Sequence, residues 1–340
     1  MKITNQKRKK NSRRIVKGLL LLLLVISLIF YRDTMLEIWT GVRQVTAGEL
    51  GAALLLSLLG YLLEGLTIFC MLGASARGAS VLEGVFIAFV CEFYRLTTLG
   101  NGSGVAEIHY LCKSRFAREE IEPGSAAVLT MIQYMMKRIA VMALGLVGFL
   151  FLYHLEETRE LCNEYAFFVA AGCLITMGII ILFLLLSLSD QAAGLARRLM
   201  DWLAVKIPSW QGRFQKWKEQ IILLNQSGKA VLGQRKRMAG VVGIQTGKLL
   251  MFYMIPAYLL CGRADLKASV CLFLMALSYM LSGVIPAPSG AGSLEFVFLL
   301  FFTRFIDANI AAPAILLFRF VTWICPAAVG GILITLRKAA

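Results

Sequence analysis

Two short glycine-rich stretches, each followed by a glutamate, are the parts of this sequence best suited to bind a ligand. Gly102–Gly104 precedes Glu107, and Gly290–Gly292 precedes Glu295 with the same spacing. Glycine permits sharp turns and a close approach of the backbone. A carboxylate inside an apolar segment is costly unless a partner or a wet cavity receives it. The repeated pattern therefore predicts two turns that bring polar groups to a shared site.

An arginine lies in the apolar segment that follows each copy, Arg138 after the first and Arg319 after the second. We expect Glu107 to pair with Arg138, and Glu295 with Arg319, around a central cavity. Such arginines can hold a phosphate through two hydrogen bonds, and such carboxylates can hold an ammonium group. The alternatives are that the charged pairs only lock helices together, and that the glycines only permit close helix packing.

The second copy has the more specific pattern, because two prolines, Pro286 and Pro288, precede its glycines. Proline lacks a backbone donor and ends the preceding helix. The next helix should then begin near Ser293, with its N-terminal amides facing the turn. That end of a helix favours an anion, for example a lipid phosphate. Capping of this helix by Ser289 or Ser293 is the alternative, and capping does not exclude binding.

The predicted site combines both copies. The substrate-binding candidates are Glu107, Arg138, Pro286, Pro288, Ser289, Gly290, Gly292, Glu295 and Arg319. The secondary candidates are Glu92, Arg95, Gly102 and Gly104. Lys248 and Arg304 are expected to reach the membrane interface instead. No catalytic residue, metal site or cofactor is predicted, because the eight cysteines form no C-x-x-C pair and only two histidines occur.

The elements that must position these residues are membrane helices. The chain is 59% hydrophobic and 16% charged, with a mean hydropathy of +0.74. A helix needs roughly 20 apolar residues to cross a bilayer, and no apolar segment alternates as a strand would. The sequence predicts an all-α polytopic membrane protein with about 8–10 transmembrane helices. The apolar segments are 15–31, 50–73, 80–99, 124–153, 165–189, 238–261, 268–285, 294–305 and 309–336.

Charge placement divides the chain into four regions. They are a basic tail at 1–17, a first transmembrane half at 18–189 with a glycine-rich element at 99–113, a basic amphipathic segment at 190–237, and a second half at 238–340 with a Pro/Gly element at 286–295. Basic segments stay on the cytoplasmic side. We therefore expect a multi-pass protein of the cell (inner) membrane with both termini cytoplasmic.

Consistent orientation requires the chain to reverse between Leu99 and Lys113, so that the two glycine-rich elements are broken or re-entrant helices. The two halves then run in opposite directions, which is the inverted repeat of many transporters. The basic segment 190–237 interleaves tryptophans with lysines and arginines, which is typical of helices lying on a membrane. Its expected partners are anionic lipid headgroups rather than nucleic acid.

The second element resembles the flippase-like transmembrane family, the membrane portion of the lysylphosphatidylglycerol synthases (multiple peptide resistance factor). The resemblance covers most of the chain. It rests on Pro286, Pro288, Gly290, Gly292, Glu295, Arg319, Pro326, Gly330 and Gly331. The first element is similar but departs from the family pattern, because Leu99 stands where a proline is common and His109 near a usual arginine.

This resemblance implies a membrane translocator of aminoacylated phospholipid, active in cell-envelope lipid modification and resistance to cationic peptides. In the full-length synthases, a separate cytosolic domain attaches lysine from charged tRNA, and we expect this chain to lack that domain. Two alternatives remain. One is an enzyme that acts on lipid, such as a phosphatidylglycerol lysyltransferase. The other is an accessory membrane subunit that binds a soluble synthase through its basic segment.

Overall fold

The computed structural model describes residues 40, 43–72, 80–98, 100, 102–113, 121–207, 210–260, 266–285, 287 and 292–339, with side chains up to 337. The chain forms two units, Met1–Thr46 and Ala47–Ala340, and every helix named here lies in the second. The predicted basic tail and the apolar segment 15–31 lie outside the described residues. So do Pro286, Pro288, Ser289 and Gly290.

The second unit is built from helices, and its described residues contain no strand. The helices are α1 Ala47–Leu72, α2 Val81–Thr97, α3 Ser103–Cys112, α4 Pro123–His154, α5 Glu156–Leu188, α6 Asp190–Lys206, α7 Gln211–Leu232, α8 Arg235–Leu260, α9 Ala268–Ser282, α10 Ser293–Phe302, α11 Ala308–Arg319, a π-helical turn Phe320–Ile324, and α12 Cys325–Ala339. The all-α membrane class predicted from the sequence is confirmed.

Five helical stretches of the described chain are long and apolar enough to cross a membrane. They are α1, α4, α5, α8 and the continuous stretch Ala308–Arg337. Other predicted segments form shorter helices, because α2 has 17 residues, α9 has 15 and α10 has 10. About 20 residues are needed for a full crossing, so these helices depend on their neighbours at membrane depth.

The order of helix lengths repeats along the chain. Helices α1 to α4 have 26, 17, 10 and 32 residues. Helices α8, α9 and α10 have 26, 15 and 10 residues, and the stretch Ala308–Arg337 has 30. The two glycine-glutamate motifs begin the third helix of each set. The chain therefore contains two structural repeats, α1–α4 and α8–α12.

The repeats have opposite orientations. Equivalent helices α1 and α8 are antiparallel, because the Tyr61 ring lies 5.7 Å from the Phe252 ring between centroids, while Glu64, one turn later, lies 2.8 Å from Lys248. The last helix of each repeat also packs against the second helix of the other repeat. Helix α12 packs against α2, and α4 packs against α9. This reciprocal packing is the arrangement expected for the predicted inverted repeat.

Helices α2 and α3 form a tight hairpin. Thr98 Oγ1 accepts the backbone N–H of Gly102 at 2.7 Å, and Gly100 has a φ of 96°, which favours glycine. Further along, the rings of Phe86 and Tyr110 meet at 5.6 Å, so α3 runs back along α2. The chain reversal predicted between Leu99 and Lys113 is present.

The π-helical turn lies where the last long stretch passes α1. Pro326 has no N–H to donate to the carbonyls one turn before it. Two hydroxyls of α1 replace that donor, because Ser57 Oγ donates to the Val321 carbonyl at 2.6 Å and Tyr61 Oη donates to the Thr322 carbonyl at 2.7 Å. These bonds satisfy buried carbonyls and fix the stretch that carries Arg319 against the first repeat.

Candidate functional site

A cavity of about 680 Å³ lies between the two repeats. It is lined by α1, α2, α3 and α4 of the first repeat and by α8, α9, α10, α11 and the π-helical turn of the second. Its volume falls within the range of small-molecule sites, roughly 300–1,000 Å³. The polar and charged residues of its wall are Tyr61, Glu64, Glu92, Arg95, Ser103, Glu107, Thr130, Gln133, Tyr134, Lys137, Arg138, Lys248, Tyr279, Ser282, Ser293, Arg319 and Thr322.

The wall of this cavity is densely charged. Five cationic side chains line it (Arg95, Lys137, Arg138, Lys248 and Arg319), against the three carboxylates Glu64, Glu92 and Glu107. A single charge at the centre of a bilayer costs roughly 2.5–3.5 kcal/mol on insertion scales. Eight such groups around one cavity are therefore expensive, which points to a polar ligand or a water-filled space between the helices.

The predicted pair of Glu295 and Arg319 is present. Arg319 donates to both carboxylate oxygens, from Nε at 2.7 Å and from a terminal nitrogen at 2.9 Å. Glu295 is the third residue of α10 and also accepts the backbone N–H of Gly292 at 2.9 Å. Gly292 has a φ of 84°, a conformation that costs other residues energy. Helix α10 begins at Ser293, as predicted, and Glu295 caps it by accepting the N–H of the residue before the helix.

Another ion pair of the cavity connects the first repeat to the second. Lys248 of α8 lies 2.8 Å from Glu64 of α1, and Glu64 also accepts from the side-chain amides of Gln245 at 2.9 Å and Gln133 at 3.4 Å. Lys248 is only 4% exposed, so the expectation that it reaches the membrane interface is wrong. The antiparallel packing of α1 and α8 turns Lys248 inward to the Glu64 carboxylate, which the two amides also hold.

Arg304 lies apart from the cavity wall. It is exposed in the turn after α10 and pairs with Glu164 of α5 at 2.8 Å. Its location fits the expected interfacial position, and it supplies a natural control for experiments on the cavity.

The pair expected between Glu107 and Arg138 is absent from the described residues. The Arg138 guanidinium binds the Tyr134 hydroxyl at 2.8 Å from Nε and the Gly283 carbonyl at 3.5 Å. Tyr134 lies one turn earlier on α4, and Gly283 directly follows α9. Arg138 thus has neutral acceptors, and it has no carboxylate within 4 Å in the described part of the chain. Glu107 lines the same cavity, and its Oε1 is buried with no hydrogen-bond partner among the described residues.

The secondary candidates differ in what they contact. Arg95 pairs with the buried Glu92 at 2.5 Å, and both line the cavity. Gly104 also lines it, and a Cβ there would meet no described atom within 4 Å. Gly102 does not line the cavity. A Cβ on Gly102 would lie 2.6 Å from Thr98 Oγ1, so this glycine serves the turn.

Several residues of the cavity wall are not among the predicted site residues. Lys137, Glu64 and Lys248 are visible as charges in apolar segments, yet the glycine motifs do not single them out. Gln133 and Gln245 are polar amides inside membrane-length helices, which is the signal that could have identified them. Of the predicted second turn, the cavity wall includes Ala287 and Ser293. Among the described residues, no three His, Cys, Asp or Glu side chains converge as metal ligands would.

Comparison with known families identifies a match. The family model described as lysylphosphatidylglycerol synthase TM region matches residues 15–330, which include every residue that lines the cavity and end within α12. No match was found among curated proteins.

Proposed function

The chain belongs to the lysylphosphatidylglycerol synthase TM region family, and on that premise we propose that it translocates a phospholipid, with aminoacylated phosphatidylglycerol as the favoured substrate. The observation that carries this proposal is the charged cavity between two oppositely oriented repeats. Relative movement of two such halves exposes a central site to each side of a membrane in turn.

The unpaired charges of the cavity suit the two ends of an aminoacylated headgroup. Lys137 and Arg138 are adjacent on α4, and neither has a carboxylate within 4 Å among the described residues. They are the natural partners of a lipid phosphate. Glu107, whose Oε1 lacks a partner in the described chain, is the natural acceptor for the ammonium of the aminoacyl group. The two paired carboxylates of the wall, Glu64 and Glu92, then serve to fix it.

We also propose the membrane location and orientation that the sequence predicts. The protein lies in the cell (inner) membrane with both termini cytoplasmic, and its transport contributes to envelope lipid modification and resistance to cationic peptides. Reporter fusions at each end test the orientation. A reporter that is active only on the outer side at either terminus contradicts it.

Translocation can be tested in symmetric vesicles that contain lysylphosphatidylglycerol and the purified protein. A membrane-impermeant amine reagent labels the outer leaflet first, and translocation exposes the remaining lipid with time. In vesicles that contain wild type or Arg304→Gln, we expect the reagent to label all of the lysylphosphatidylglycerol. Double substitution of Lys137 and Arg138 by Gln should slow the second phase. If that phase has the same rate in protein-free vesicles as with wild type, the proposed function is wrong.

A further inference from the structure

Helices α6 and α7 form an antiparallel hairpin between the membrane-length helices α5 and α8. Two ion pairs join them, Asp190 with Lys229 at 2.5 Å and Asp201 with Lys218 at 2.6 Å. Helix α6 follows α5 after the single residue Ser189, whose hydroxyl caps it. The hairpin therefore starts where the apolar helix α5 ends.

The two helices of this hairpin have different surroundings. Helix α7 packs on α4 and α5, and its Leu224 and Val231 belong to a buried cluster with Ile132, Met136 and Phe183. In α6, by contrast, Ala193 alone is fully buried. Helix α7 is thus fixed to the bundle, and it holds α6 with one long face uncovered.

The uncovered face of α6 is apolar. Leu195, Leu199 and Trp202 follow one another at helical spacing and are 72%, 51% and 53% exposed, and Val205 beside them is 81% exposed. A second exposed apolar strip lies at the end of α5, formed by Leu182, Leu185 and Leu188. Because α5 has the length and composition of a membrane span, we expect this strip to face lipid, and α6 begins one residue after it.

The hairpin is also strongly basic. Residues 190–237, the hairpin together with the first residues of α8, contain ten Lys or Arg against three acids, and two of those acids are already paired within the hairpin. Lys206 lies over the Trp202 ring at 4.4 Å, and Arg213 over the Trp210 ring at 4.6 Å. Tryptophan rings with cations beside them are typical of helices at the headgroup level, where the ring enters the apolar boundary and the cation meets lipid phosphates.

We propose that α6 is an interfacial helix that inserts Leu195, Leu199 and Trp202 into the cytoplasmic surface of the same membrane and gathers anionic phospholipid around the hairpin. Each Lys or Arg close to an anionic surface adds to this attraction. The consequence is a local enrichment of acidic lipid beside the transmembrane bundle, independent of what the central cavity binds.

Tryptophan fluorescence of the full-length protein can test this, because three of the five tryptophans lie in the hairpin. Two vesicle preparations contain the same phosphatidylcholine and phosphatidylglycerol, with brominated chains on one lipid or on the other. The contribution of Trp202 is the difference between wild type and Trp202→Phe. We expect brominated phosphatidylglycerol to quench that contribution roughly twofold more than brominated phosphatidylcholine, and high salt to remove the difference.

A matched pair of variants separates insertion from charge. Leu199→Glu and Gln226→Glu each add one negative charge to an exposed position of the hairpin, but only the first lies on the apolar face of α6. Leu199→Glu should abolish the quenching of Trp202, and Gln226→Glu should preserve it. Equal loss in both variants, equal quenching by both lipids, or a Trp202 that neither lipid quenches would each overturn the proposal. The last outcome would instead favour a protein partner on this face.

Discussion

The two glycine-glutamate elements share a motif, but the helix begins at a different position of the motif in each. In the first element, α3 begins after Gly102, the first glycine of the motif, so Glu107 is the fifth residue of the helix. In the second, α10 begins after Gly292, the last glycine, so Glu295 is the third residue. A glutamate at the third position can reach back to the amide before the helix. One at the fifth position cannot.

This shift of two residues gives the glutamates different roles. Glu295 is held by Gly292 and Arg319 and does not line the cavity, whereas Glu107 lines the cavity with one oxygen unpartnered in the described chain. One element holds its glutamate in an ion pair, and the other leaves a carboxylate oxygen at the cavity, where we propose that it binds the substrate. An inverted repeat can therefore keep its symmetric frame while its two motifs diverge in function.

The largest effect is expected from Arg319→Gln, which removes one side of the anchored pair. Breaking a buried ion pair typically costs about 3–5 kcal/mol, and the partial exposure of both side chains reduces that figure to about 2–3 kcal/mol. The loss should appear as a lower midpoint of thermal unfolding in detergent. Glu107→Gln is the comparison, because it breaks no ion pair. If both variants unfold at the same temperature, the two glutamates do not differ as described.

Filling the cavity at the first element should stop transport without unfolding the protein. Gly104→Leu places a side chain where a Cβ meets no described atom within 4 Å, and it replaces a poor helix former by a good one. We expect the slow phase of amine labelling to fall to the protein-free rate, while the unfolding midpoint is unchanged or higher. Unimpaired labelling would mean that the substrate does not pass this wall.

Glu107→Gln should affect substrates according to their charge. A hydrogen bond to a charged group contributes about 1.5–3 kcal/mol, so the rate for lysylphosphatidylglycerol should fall roughly tenfold or more. Unmodified phosphatidylglycerol has no ammonium, and its rate should change little in a back-extraction assay. Equal losses for both lipids would remove Glu107 from the recognition of the aminoacyl group.

The smallest effect concerns the glycines themselves. Gly292→Ala forces alanine into a φ of 84° and should destabilise the protein by about 1 kcal/mol. Gly104→Ala lies inside α3 with open space around its Cβ, and it should stabilise by a few tenths to about 1 kcal/mol. Thermal unfolding of the two alanine variants measures both changes. Shifts of the same sign would show that the second turn does not need its glycine.

Much of the frame was predictable from the sequence, because the cost of exposing backbone to lipid leaves helices as the solution for long apolar segments. The start of α10 at Ser293 was also predictable, since proline and glycine act on their own neighbourhood. The pair of Glu295 and Arg319 followed from the same local pattern.

The pairings between helices far apart in the sequence were not predictable in this way. An apolar segment shows that a helix lies in the membrane, but it does not show which neighbour each face meets. Arg138 therefore met Tyr134 and Gly283 instead of Glu107. For the same reason Lys248 turned inward to Glu64. Such contacts depend on the rotation of each helix about its axis, which the packing of the whole bundle decides.

The π-helical turn Phe320–Ile324 contains one residue more than a regular α-helical turn. The number of residues in this turn therefore sets the direction in which the side chains after it point. Deleting one residue there would remove the extra residue of the π-helical turn and rotate everything after it by about 100°. Arg319 would keep its place, while Arg337, which now donates to Glu83 at 3.1 Å, would swing away from α2. A single-codon deletion at this point would thus uncouple the two ends of one span, although no charged residue had been altered.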